Sequence, residues 1–99
     1  MTKFIEYPKA TEVESIFEKE TSKKREYDDY ELIEDRINGK LVVYLRAIKK
    51  RNMYRDAIVC GYRNTSLWFG RRVQPIPQEE RKNIESKFRE KNIRVLKFF

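Results

Sequence analysis

The sequence predicts an α+β fold: an antiparallel β-meander of three to four strands plus a C-terminal strand, with two helices packed on the sheet. Three observations lead there. Asn38-Gly39 separates two β-rich runs, the pairing of residues that a type I′ hairpin turn requires. LVVYLRAIKK and AIVCGY are strand-like runs of branched and aromatic residues. Helical spacing of apolar residues occurs in ATEVESIFEKETSKK and again after QPIP. At 99 residues and 12.1 kDa the chain has enough material for one core, so residues 1–99 are expected to form a single compact domain.

The elements follow in order. FIEY is strand-like and ends at Pro8. Residues 11–22 read as a helix: Thr11 and Glu14 have capping-box spacing, and Val13, Ile16 and Phe17 share one side. The Asn-Gly turn pairs residues whose numbers sum to 77, which sets Leu32 opposite Leu45, Ile33 opposite Tyr44, Glu31 opposite Arg46, Asp28 opposite Lys49 and Glu26 opposite Arg51. A competing helical reading puts Tyr27, Tyr30, Ile33 and Ile37 on one face, so residues 26–37 stay open between strand and helix, with strand favoured for 30–37.

In the next strand Leu41, Val43, Leu45 and Ala47 form a core face, while Val42, Tyr44, Arg46, Ile48 and Lys50 form a mixed, partly wet one. A reversal near RNMY and a register summing to 105 align Lys49 with Asp56, Ala47 with Ile58, Leu45 with Cys60 and Val43 with Tyr62. SLWFGRRV reads as the following strand, with Gly61 beneath Trp68, and QPIP ends the meander. Pro77 opens a second helix over 77–91 with a thin apolar stripe, Ile84 and Phe88, so this helix lies on the domain. Asn92 is its C-cap, and IRVLKFF is the final strand.

Composition narrows the chemistry. The chain has no histidine and one cysteine, which argues against His-dependent triads, imidazole zinc sites and an internal disulfide. Cys60, inside AIVCGY, reads as a buried strand thiol. Glu26, Asp28, Asp29, Glu31, Glu34 and Asp35 could hold Mg²⁺, but their spacing is unspecific and half of them match basic residues across the hairpin. The expectation is a noncatalytic protein with no cofactor and no metal. No apolar run is long enough to cross a bilayer, and MTKFIEYPK lacks the apolar stretch of a signal peptide. An intracellular location is expected. Charged residues make up 39% of the chain with only two Gln, the balance found where ion-pair networks operate at high temperature, so a thermostable protein is expected.

The net charge of +7 is uneven: residues 1–39 carry seven basic and eleven acidic side chains, residues 40–73 nine and one, residues 74–99 seven and four. The middle third is therefore the cationic centre. Strand alternation divides its charges between two faces, which leaves the loop tips as the place to assemble a basic surface. Lys50, Arg51, Tyr54 and Arg55 at one tip, supported by Arg63, Arg71 and Arg72, are the candidate contacts to DNA or RNA, through phosphates and one stacking aromatic, without sequence preference. The competing structural reading makes these charges a solvated sheet face, and it places Trp68 in the core.

The composition, the absent histidine and the β-rich stretch LVVYLRAIKK followed by AIVCGYRNTSLWFGRR resemble the small proteins of filamentous and rod-shaped viruses that infect hyperthermophilic archaea. The resemblance implies an uncommon α+β fold in the host cytoplasm and either nucleic-acid binding or, alternatively, binding of a host protein to block host defence. A sheet edge, the acidic patch at 26–35 or Phe98-Phe99 would serve the second role; Phe98 and Phe99 read first as core, with a homodimer contact as the alternative.

Overall fold

The computed structural model describes residues 4–21, 27–52, 54–63 and 70–99. They form β1 (Ile5–Glu6), a 3-10 turn (Ala10–Glu12) leading into α1 (Val13–Thr21), β2 (Asp29–Ile37), β3 (Lys40–Lys49), a second 3-10 turn (Lys50–Asn52), β4 (Tyr54–Tyr62), β5 (Arg72–Val73), α2 (Gln78–Glu90) and β6 (Ile93–Phe98). The main sheet has the order β2-β3-β4-β6, and β1 pairs with β5 in a separate two-stranded sheet. This is the expected α+β class.

The β2–β3 hairpin follows the local turn. Asn38 and Gly39 have φ of 55° and 80°, as a type I′ turn needs. Glu31 lies opposite Arg46, Leu32 opposite Leu45 and Ile33 opposite Tyr44, so residues 29–37 are strand. Asp28 does not pair with Lys49; its carboxylate accepts the Lys50 backbone N–H at 3.0 Å. The expected Glu26–Arg51 pair falls outside the described residues.

The β3–β4 register differs from the expected one. Lys49 lies opposite Tyr54, Ala47 opposite Asp56 and Leu45 opposite Ile58, and a bulge then shifts the pairing to Val43 with Gly61 and Val42 with Tyr62. The 3-10 turn shortens the reversal and brings residues 54 and 55 into the ladder, in place of a Lys49–Asp56 ion pair worth at most about 1 kcal/mol at the surface. Because the shift at the tip is two residues, each side chain keeps its face.

Both faces of the sheet are covered near its middle, and the face expected to be mixed and partly wet is buried at Val42 and Tyr44, half-buried at Arg46 and Ile48 and exposed at Lys50. On one, Val13 and Phe17 of α1 bury Val43, Leu45, Ala47, Ile58 and Cys60; on the other, Ile84 and Phe88 of α2 bury Val42, Tyr44, Ala57 and Val59. Phe88 meets Tyr44 edge-on at 4.7 Å between ring centroids. Burial on both sides explains why LVVY and AIVC are continuous apolar runs. Few apolar residues per helix are enough, Val13, Ile16 and Phe17 on α1 and Ile84 and Phe88 on α2, because each helix drives one fully buried aromatic ring into the sheet.

The chain then departs from a simple meander. After β4 it forms α2 and returns as β6 parallel to β4, with Arg55 opposite Ile93 and Ala57 opposite Val95. Such a parallel return needs a crossover, and α2 supplies it. The anticipated fourth meander strand is reduced, among the described residues, to Arg72–Val73, which pairs with β1; Trp68 lies outside the described residues. Gly61 (φ +152°) is closed over by backbone: an added Cβ would sit 2.3 Å from the Gln74 carbonyl oxygen. Phe98 and Phe99 pack into opposite faces of the core.

At the helix ends, Glu12 rather than Glu14 makes the reciprocal contact, accepting the Lys9 N–H at 3.3 Å, because the helical segment starts one residue earlier than Thr11. Pro77 is the N-cap of α2 rather than its first residue, and Lys91 rather than Asn92 is its C-cap, Asn92 being the left-handed residue (φ 60°) just after it.

Candidate nucleic-acid interface

The β3–β4 reversal is one of two cationic ends of the sheet. Lys49 closes β3 and Arg55 stands near the start of β4, both half-buried, while Lys50 and Arg51 are exposed in the 3-10 turn between them. Asp28 holds this turn from the adjacent strand by capping the Lys50 N–H. Among the described residues, no acid lies within ion-pair distance of any of these four side chains. Tyr54 is placed beside them by its backbone, opposite Lys49.

Asp56, the single acid of this stretch, does not neutralise the tip. It is fully buried, accepts the Tyr27 hydroxyl, and takes Arg94 Nε at 3.1 Å and Nη2 at 3.4 Å. A buried carboxylate needs such partners. The parallel pairing of β4 with β6, which sets Asp56 opposite Arg94, supplies one of them.

The supporting residues are elsewhere. β3 spans ten residues, about 30 Å at the usual strand rise, and Arg63 lies at the opposite end of the β3–β4 hairpin. There Arg63 donates from Nη1 to Tyr7 Oη at 3.3 Å and pairs with Glu34. Arg71 donates to the Tyr7 carbonyl at 2.9 Å, with Glu6 3.7 Å away, and Arg72 is exposed on β5 opposite Glu6 in register. The structure thus gathers Lys50, Arg51, Arg55 and the backbone of Tyr54, and separates them from Arg63, Arg71 and Arg72. Lys49 joins the tip, a residue that sequence reasoning had assigned to Asp56 through the longer register.

Three acids of the 26–35 stretch pair with bases of the scaffold. Glu31 pairs with Arg46, Glu34 with Arg63, and Asp35 with Lys91 at 2.7 Å. The hydrogen bond from Lys91 is the main reason that the Asp35 pKa lies below the ordinary aspartate value. Among the described residues no three carboxylate or thiol groups gather as a metal site. Burial pushes the Cys60 thiol up to about 12, so it stays protonated and unreactive in the folded chain. Burial also raises the Tyr44 phenol, and burial followed by a hydrogen bond to Glu80 raises Tyr62 to about 12. No helix among the described residues is long and apolar enough to cross a membrane. No protein family, characterised relative or solved structure matches this chain.

Proposed function

We propose that the protein binds nucleic acid without catalysis, through the β3–β4 tip, and that it serves a virus of the kind its composition resembles. One observation carries the reading: Lys49, Lys50, Arg51 and Arg55 fall within one hairpin end, Lys49 and Arg55 on opposite faces of the sheet, with no acidic partner among the described residues. Cations left over from the scaffold's own pairing are available to neutralise phosphates and release counterions, which gives affinity indifferent to sequence. Arg63, Arg71 and Arg72 act apart from this contact.

The test is fluorescence anisotropy with labelled single- and double-stranded DNA and RNA across a salt series. The expected dissociation constant is about 1–100 μM near physiological salt, tightening steeply as salt falls. The variant K50Q/R51Q/R55Q should lower the magnitude of the log–log salt slope by about 3. No binding by the wild type at low salt, or binding unchanged in the variant, overturns the reading. A stoichiometric protein recovered from nuclease-treated host lysate, with no oligonucleotide binding, would establish the host-protein alternative in its place.

A further inference from the structure

Beyond the tip, the geometry points to a second anion site at the opposite end of the sheet: a cleft between the Asn38-Gly39 turn and the Tyr62–Gln74 bridge, where we propose that Arg36, Lys40 and Arg63 bind a phosphate group. The cleft measures about 270 Å³ and is lined by Arg36, Gly39, Lys40, Leu41, Tyr62, Arg63 and Gln74. Among the described residues three cations line it and no acid does. Sequence reading gave Arg36 and Lys40 no role, because they flank a hairpin turn while Arg63 arrives from the next strand; the backbone bond from Arg63 N to Leu41 O, 2.8 Å, brings the three together.

Lys40 and Arg63 are held by groups outside the cleft lining, and all three cations keep donors to spare. Arg63 spends Nη1 on Tyr7 and Glu34, while its Nε and Nη2 make no hydrogen bond among the described residues. Lys40 lies 4.7 Å above the centre of the Tyr62 ring and 3.4 Å from Glu80. Glu80 also accepts the Tyr62 hydroxyl at 2.9 Å, which fixes the ring that supports the ammonium. The Arg36 side chain is exposed and has no ion pair among the described residues. Glu34 and Glu80 thus hold Arg63 and Lys40 without entering the cleft lining, and Arg36 adds a charge that nothing described offsets. Gly39 leaves the mouth open, since a Cβ there would meet no atom within 4 Å. A planar guanidinium fork beside an ammonium suits the oxygens of a phosphoryl group.

The source we assign is the backbone of a nucleic acid held also at the tip about 30 Å away, close to one helical turn of a duplex. That assignment rests on the nucleic-acid reading; the phosphate chemistry of the cleft does not. Two measurements separate them. In a ¹H–¹⁵N NMR titration with inorganic phosphate, saturable shifts are expected at the amides of Arg36, Gly39, Lys40 and Arg63, with at least tenfold weaker affinity in R36Q/K40Q. In the anisotropy assay with a 20-base-pair duplex, R36Q/K40Q should lower the magnitude of the salt slope by about 2. R36Q alone, which breaks no described ion pair, should lower it by about 1 and guards against a folding defect at Lys40.

Absence of phosphate shifts together with an unchanged salt slope overturns the site. Phosphate shifts without any duplex binding by the wild type uphold the cleft, assign it to free phosphate, and overturn the tip reading instead. Phosphate shifts with duplex binding whose slope is the same in R36Q/K40Q uphold the cleft and overturn its nucleic-acid role.

Discussion

The two ends of the β3–β4 hairpin carry similar numbers of cations and treat them differently. At the 3-10 turn, Lys49, Lys50, Arg51 and Arg55 lack ion pairs among the described residues, and the nearby Asp56 is turned into the core. At the other end Lys40, Arg63 and Arg71 are held by Glu80, Glu34 and Glu6. The difference teaches that cation density along a sequence does not mark a binding surface. What matters is where the topology sends the acids: at the paired end Glu80, Glu34 and Glu6 each hold a cation, while at the tip Asp28 caps a backbone N–H and Asp56 is buried.

The largest way to break this contrast is at the backbone of the paired end. Gly61→Ala would drive a methyl group into the Gln74 carbonyl at a φ of +152°, and should cost about 2–4 kcal/mol in a urea unfolding titration. It should also release the Tyr62–Gln74 bridge that closes the cleft, abolishing the phosphate response while sparing the tip. Next comes the buried acid of the tip end. Asp56→Ala strips the Tyr27 hydroxyl and Arg94 of a shared partner, with an expected loss of about 2–3 kcal/mol by the same measurement. Glu34→Gln, at a part-exposed pair, should cost at most about 1 kcal/mol.

The smallest effect near neutral pH comes from titration. Cys60 has a folded pKa of about 12 against an ordinary value of 9.0, so its contribution is fully present below pH 9. As pH rises from there toward 12 the unfolded chain loses a proton that the folded chain keeps, and stability falls by about 1.4 kcal/mol per pH unit. Cys60→Ala should flatten the decline of Tm between pH 9 and 10.5. Tyr62, raised from 10.0 to about 12, adds a further fall above pH 10 in both proteins.

Much of the fold was legible because its signals are local. The β2–β3 register follows from two residues that tolerate positive φ, and the cores of both helices follow from Phe17 and Phe88 at helical spacing with neighbouring apolar residues. The β3–β4 register was not legible: Lys49 facing Asp56 was a reasonable charge match, but the 3-10 turn and the bulge at the Val43–Tyr44 step overrode it. The candidate site divides in the same way. Lys50, Arg51 and Arg55 were readable as a tip, whereas Lys49 was misassigned with the register and the Arg36–Lys40–Arg63 cleft joins residues no short window contains.

The sequence by itself determined the α+β class, the Asn-Gly hairpin and the cationic middle third, because turn chemistry, side-chain period and charge act over a few residues. Only the tertiary structure decided that β6 returns parallel to β4, that Asp56 is buried against Arg94 and Tyr27, and which cations keep an acid beside them. Those outcomes depend on α2 crossing the sheet and on which strand ends it brings together, a balance of burial over many distant contacts that no local pattern encodes.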